Sequence, residues 1–175
     1  MKSDLLELIK TRRSVRSYLN RPVEREKVEA LLEAMRWAPS GGNLQPWAFA
    51  VVQENCALRE KISALSKYEE WMKEAPVLIA IFYDHTKDSE KIFRCERKHH
   101  QAIGSAMQNG MLVAHELGLG TCWIGEILPH ESEVKELLSV PDHFELVALL
   151  TLGYPSAPPK EKGRYDLKEL LLSWD

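Results

Sequence analysis

Arg12-Arg13-Ser14-Val15-Arg16 sets three guanidinium groups and one hydroxyl within five residues, directly after an amphipathic stretch. Arginine carries five donors in a planar fork, a geometry that grips a phosphate at two points. In an extended chain the side chains alternate. Arg12, Ser14 and Arg16 would then share one face, with Arg13 on the other. Such a face suits a phosphate and a carbonyl-rich ring together. The same five residues also suit a solvated basic turn, the commoner use of a short basic run. The flanking sequence decides between the two, and with them the fold.

The chain has 175 residues, 45% of them hydrophobic, and a formal net charge of -3. Those values predict one domain over residues 1–175 with a sizeable core, and they give no reason to expect a nucleic-acid partner. No apolar run approaches the roughly 20 residues that span a bilayer. The opening MKSDLLELIK lacks the apolar core and small-residue cleavage site of a secretion signal, so a cytoplasmic location is expected. Cys56, Cys95 and Cys122 are widely spaced and form no CxxC pair, which indicates inert thiols rather than a zinc site or a disulfide framework.

Before the basic stretch, Leu5, Leu6, Leu8 and Ile9 give a helix an apolar face up to Thr11. After it, Tyr18–Val23 is a loop, and Val28, Leu31, Leu32 and Met35 mark a helix from Glu24 to Trp37. Pro39 stops that helix. The segment Pro39-Ser40-Gly41-Gly42-Asn43-Leu44-Gln45-Pro46-Trp47 follows, with two glycines that let backbone approach a flat ligand and three polar side chains. A plain helix-to-strand turn has the same composition. Ala48–Gln53 is a strand, Ala57–Lys73 one or two short helices, and Val77–Tyr83 a continuously apolar, hence buried, strand. Asp84–His100 is charged and lacks a period, and is expected to be an exposed segment forming a partial lid. Its His99-His100 pair has no ligand partner in sequence, so no metal site is expected.

Gln101–Leu117 is a long helix in which Ala102, Ala106, Gly110 and Ala114 recur every fourth residue. Such a ridge of small side chains permits close helix packing, inside the protein or across a subunit interface. Gly118-Leu119-Gly120 leads into a short strand, Thr121–Gly125. These glycines follow a helix and precede a strand, the reverse of a dinucleotide fingerprint, and no phosphate-binding P-loop is present. Pro129–Leu138 is a helix and Phe144–Leu152 a central strand. A polar, basic stretch up to Arg164 precedes a last helix, Leu167–Leu172, whose leucines and nearby Trp174 need a partner to cover them. Helices and strands mix without regular alternation. The expected class is α+β, with helices around a small mixed sheet.

Four stretches in order, RRSVR, PSGGNLQPW, GLGTCWIGE and the closing GYP…KxKGR, resemble the nitroreductase family of flavoproteins, and the resemblance runs from Leu5 to Arg164. It implies a nitroreductase-like fold, an intertwined homodimer and FMN held non-covalently between the subunits. Arg12 and Arg164 resemble the phosphate ligands of that family, with Arg13 and Ser14 adding contacts. Arg16 resembles the cation at the pyrimidine edge of the flavin, and Lys162 the second basic residue of the C-terminal pair. Pro39, Ser40 and Gly41 would line the ring from the partner subunit, with Asn43 close by and Gly42 reaching substrate. Trp123, Ile124 and Gly125 would run along the flavin beside its reactive N5.

The resemblance also implies hydride transfer from NAD(P)H through the flavin to a nitroaromatic, quinone or similar small acceptor, in a ping-pong cycle. A substrate-specific dehydrogenase, ene-reductase or dehalogenase, or a flavin carrier or sensor without turnover, are the alternatives. A protein nucleophile or general base is not needed, because the cofactor carries the chemistry. Two departures stand out. Tyr68 and Trp71 fall where larger members place an Asn and a Lys, and the short 84–100 segment argues against the lid-dependent deiodinases and flavin-cleaving enzymes.

Overall fold

A computed structural model of the chain describes residues 5–87, 96–159 and 163–174. Four strands form its centre: β1 (Trp47–Val52), β2 (Val77–Asp84), β3 (Gly120–Ile124) and β4 (Phe144–Gly153), in the order β1-β2-β4-β3. All three ladders are antiparallel, from Trp47 opposite Tyr83, through Val77 opposite Leu152, to Gly120 opposite Gly153. The sheet expected to be mixed is therefore antiparallel along its strands, and the parallel component among the described residues is a single bridge between Ser14 and Thr121.

The two inner strands are covered on both faces, which is why each is a continuous apolar run. Along β2, Val77, Ile79, Ile81 and Tyr83 enter one core, while Leu78, Ala80 and Phe82 enter the other. The register between β2 and β4 shifts once, between Ile81 and Phe82, leaving an extra residue on β4. There Val147 and Ala148 both turn toward the first core, and Leu146 and Leu149 serve the second.

The first core is roofed by α2 (Arg25–Arg36) and α5 (Glu96–Glu116). In α2, Val28, Leu31 and Met35 are buried, the i, i+3, i+7 stripe that its period predicts. The small ridge of α5 packs on α2 within the protomer. A Cβ at Gly110 would lie 2.7 Å from the Met35 side chain, so only glycine admits this approach. The second core lies under α3 (Cys56–Ser63), α4 (Glu69–Met72) and α6 (Glu131–Leu138), through Ile62, Met72 and Val134.

Helix α5 starts at Glu96, earlier than the sequence period indicates. The 84–100 segment is correspondingly less exposed at its ends than expected. Asp84 closes β2 as a buried residue, and buried His99 stacks on Tyr83 with ring centroids 5.2 Å apart. His85 and His100 each place Nε2 2.9 Å from a different oxygen of Glu145. Residues 88–95, the middle of the expected lid, lie outside the described residues.

Two helices, α1 (Leu5–Thr11) and α7 (Leu167–Leu170), bury none of their residues. Helix α7 is closed by a capping box between Asp166 and Glu169, so it is locally well formed. Nevertheless Leu172 and Trp174 just beyond it are 102% and 83% exposed. Among the described residues no helix is long and apolar enough to cross a membrane.

Candidate functional site

The basic stretch leaves α1 extended and lies alongside β3. The Val15 amide donates to Thr121 O at 2.9 Å, and the Val15 side chain is buried. Tyr18 anchors the far end. Its buried hydroxyl donates to Val15 O at 2.8 Å and lies 2.6 Å from Thr151 Oγ1 on β4. The Tyr18 proton is committed to Val15, so Thr151 is the donor in the second bond. Burial raises the Tyr18 pKa, against the opposing pull of the Thr151 hydrogen bond, and the hydroxyl stays neutral.

This anchored segment borders a cleft of about 670 Å³, lined by Arg12, Arg13, Ser14 and Arg16 together with Pro158, Pro159 and Arg164. Arg13 therefore faces the same cleft as its neighbours rather than the opposite side expected from strict alternation. Its guanidinium folds back, with Nη1 donating to the carbonyls of Lys10 and Arg12. A smaller cavity of about 210 Å³ also touches Arg12 and Arg13, and His115 of α5 lines it.

Two of the cations in this cleft, Arg12 and Arg13, have no carboxylate partner among the described residues, and Arg12 Nε and Arg13 Nε are buried without a hydrogen-bond partner. The Arg12 pKa is pushed down by burial first, then by the Arg164 and Arg13 cations. Burying donors without acceptors costs free energy, about 1–3 kcal/mol per group. A phosphate monoester repairs that deficit, since it brings about two negative charges and three acceptor oxygens. The residues present fit the phosphate end of FMN. Cys122 is buried, with its thiol 3.8 Å from Trp123 O, and burial pushes its pKa up, consistent with the inert thiol expected. Cys56 by contrast is exposed.

The other residues that the resemblance implicates lie elsewhere. Pro39–Asn43 do not border the arginine cleft. With Leu44 and Gln45 they form a tight turn in which Gly42, Asn43 and Gln45 have positive φ of 61°, 55° and 50°, and the Gln45 backbone N–H donates to Ser40 Oγ at 3.0 Å. Left-handed backbone at two non-glycine residues persists only where the surroundings hold it. On β3, Trp123 is exposed and Ile124 buried, and Gly125 follows the strand as an exposed residue. Neither group borders the arginine cleft within one protomer. Lys162 lies outside the described residues.

Two contacts were not legible in the sequence. Glu126, just past Gly125, accepts from Ser66 Oγ at 2.7 Å and from the Lys67 amide at 3.3 Å, tying the end of β3 to the turn before α4, next to Tyr68 and Trp71. The rings of Tyr68 and Trp71 meet at 5.7 Å. His115 meets Thr11 across 104 residues of chain. No local pattern announces either contact, because both join distant segments.

The chain is similar to known proteins. The sequence pattern described as "Nitroreductase family" matches residues 9–68 and 63–154. A Methanothermobacter thermautotrophicus protein, provisionally named NADH dehydrogenase/NAD(P)H nitroreductase, is 37% identical over 168 residues, covering 94% of this chain and 84% of its own. The FMN reductase [NAD(P)H] of Bacillus subtilis is 27% identical, covering 93% and 70%. A solved structure from Desulfovibrio desulfuricans, provisionally named a nitroreductase and in complex with FMN, superposes with a TM-score of 0.88 at 34% identity, covering 100% of this chain and 99% of that one.

Proposed function

The chain belongs to the nitroreductase family, and from that premise we propose that it is an FMN-dependent oxidoreductase, reduced by NAD(P)H and oxidised by a nitroaromatic, quinone or similar small acceptor. The observation that carries this reading is the cleft lined by Arg12 and Arg13, whose buried Nε atoms lack acceptors. When bound, FMN supplies the hydride chemistry, alternating between nucleotide and acceptor in a ping-pong cycle.

The chain's own residues position and tune. Arg12, Arg13, Ser14 and Arg164 hold the phosphate, with Lys162 as a further cation. Arg16, the exposed arginine of the segment, reaches the pyrimidine edge of the ring, where a cation favours the electron-rich reduced state. Trp123, Ile124 and Gly125 present backbone groups along the ring. Pro39, Ser40, Gly41 and Asn43 cover it from a second copy of the chain, and Gly42 meets the acceptor. A homodimer is supported by the separation of these groups from the cleft within one protomer and by the uncovered α7 leucines.

The test is the visible spectrum of the purified protein, followed by anaerobic addition of NADH and NADPH in turn. Oxidised-flavin bands that bleach with either nucleotide are expected. Absence of flavin, with no uptake of added FMN, would sink the proposal.

A further inference from the structure

Beside the arginine cleft, at the end of α5, stands a histidine that the proposed chemistry does not use. His115 Nε2 lies 3.0 Å from Thr11 Oγ1. The Thr11 hydroxyl has one proton and places it on the Glu7 carbonyl at 2.7 Å. Nε2 is therefore the donor to Thr11, and Nδ1 is the nitrogen left to accept a proton. The ring is half-buried and lines the same small cavity as Arg12 and Arg13. It thus ties three parts of the site together: the end of α1, the end of α5 and the first two arginines.

We propose that His115 is a proton-linked positioning residue for the phosphate: as the anion settles on Arg12 and Arg13, the imidazole takes a proton from solvent and joins the cationic cluster. The inference rests on the reading that FMN phosphate occupies the arginine cleft.

The groups around His115 give the direction. Burial lowers its pKa first, then the Arg12 and Arg13 cations, so without an anion the ring is neutral near pH 7. Arg164 acts on the same pair through Arg12. On α1, Glu7 and Lys10 are exposed and pair with each other at 3.0 Å, cancelling locally. On β3, Cys122 is a buried neutral thiol, and Glu116, next on α5, is exposed. The main charges bearing on the ring are thus positive, and a phosphate dianion offsets them. Protonation then becomes easier, and by linkage the phosphate binds more tightly where His115 is charged.

The experiment measures FMN release from the holoprotein on dilution between pH 5.5 and 8.5, for wild type and His115→Gln. Glutamine keeps a donor to Thr11 and removes the titration. The ratio of dissociation constants, variant over wild type, should be near 1 at pH 8.5 and rise to at least about fivefold at pH 5.5, within the tenfold per pH unit that one linked proton allows. The phosphate's own ionisation near pH 6 divides out of that ratio. With riboflavin, which lacks the phosphate, the ratio should stay flat.

A pH-independent FMN ratio, or a riboflavin ratio that rises equally, would overturn the proposal and leave the flavin assignment standing. Failure of wild type to hold FMN at any pH would overturn both. The His115 ring titration, followed by NMR in wild type with and without FMN, serves if the variant does not fold: an upward shift with FMN is expected, and identical curves would refute the proposal.

Discussion

Val15 and Gly120 show how little room the arginine segment has. A Cβ built on Gly120 would lie 2.5 Å from Val15 Cγ2 and 2.9 Å from Cγ1, both belonging to a side chain clamped against β3. Gly120→Ala should therefore cost about 1–3 kcal/mol, the usual range for overpacking, read as a lower urea midpoint. The same change should loosen FMN, because Val15 cannot move without moving Arg12–Arg16. Arg12 itself tests the electrostatic argument. Arg12→Ala should weaken FMN at least about tenfold, as expected for losing a hydrogen bond to a charged group worth about 1.5–3 kcal/mol. Undiminished flavin occupancy on dilution of that variant would refute its role at the phosphate.

Among the described elements, α7 is one whose chemistry and environment disagree. Its capping box shows a segment selected to be helical, yet the leucines at and after it face water. A short helix gains little on its own, so its stability must come from packing. We expect the double change Leu170→Ser and Leu172→Ser to leave the monomer core intact and shift the protein toward monomer in sedimentation. A dimer of unchanged affinity would show that α7 is not part of the interface. Helix α5 makes the contrasting case. Its small ridge, equally suited in sequence to a subunit interface, is spent on α2, where Gly110 lets Met35 and Leu31 approach.

At the scale of the whole molecule, the arginine cleft and the Ser40–Gln45 turn lie apart in one protomer. If each flavin site draws on two copies, the two regions must complement across the dimer. Arg12→Ala and Gly42→Val should each impair activity alone, the latter because valine is strained at the positive φ of Gly42. Co-expressed, they should form mixed dimers with one fully native site, recovering part of the lost turnover. Lack of any recovery would favour sites built within a single chain.

The sequence alone determined the strands, the long helices and the basic stretch, because burial on one face or two leaves a period that the chain must carry locally. Val77–Tyr83 and Phe144–Leu152 could be read as inner strands for that reason, and both are. The resemblance over the four motifs, likewise a property of the linear chain, pointed to the family. Tertiary structure decided the rest. It made the sheet antiparallel throughout its strands, turned Arg13 into the same cleft as Arg12, drew the start of α5 back to Glu96, and brought His115 to Thr11 and Thr151 to Tyr18. Apart from the local bonds of Arg13 to Lys10 and Arg12, these depend on contacts between segments far apart in the chain. Their free energy appears only when the sheet closes, so no window of neighbouring residues can record them.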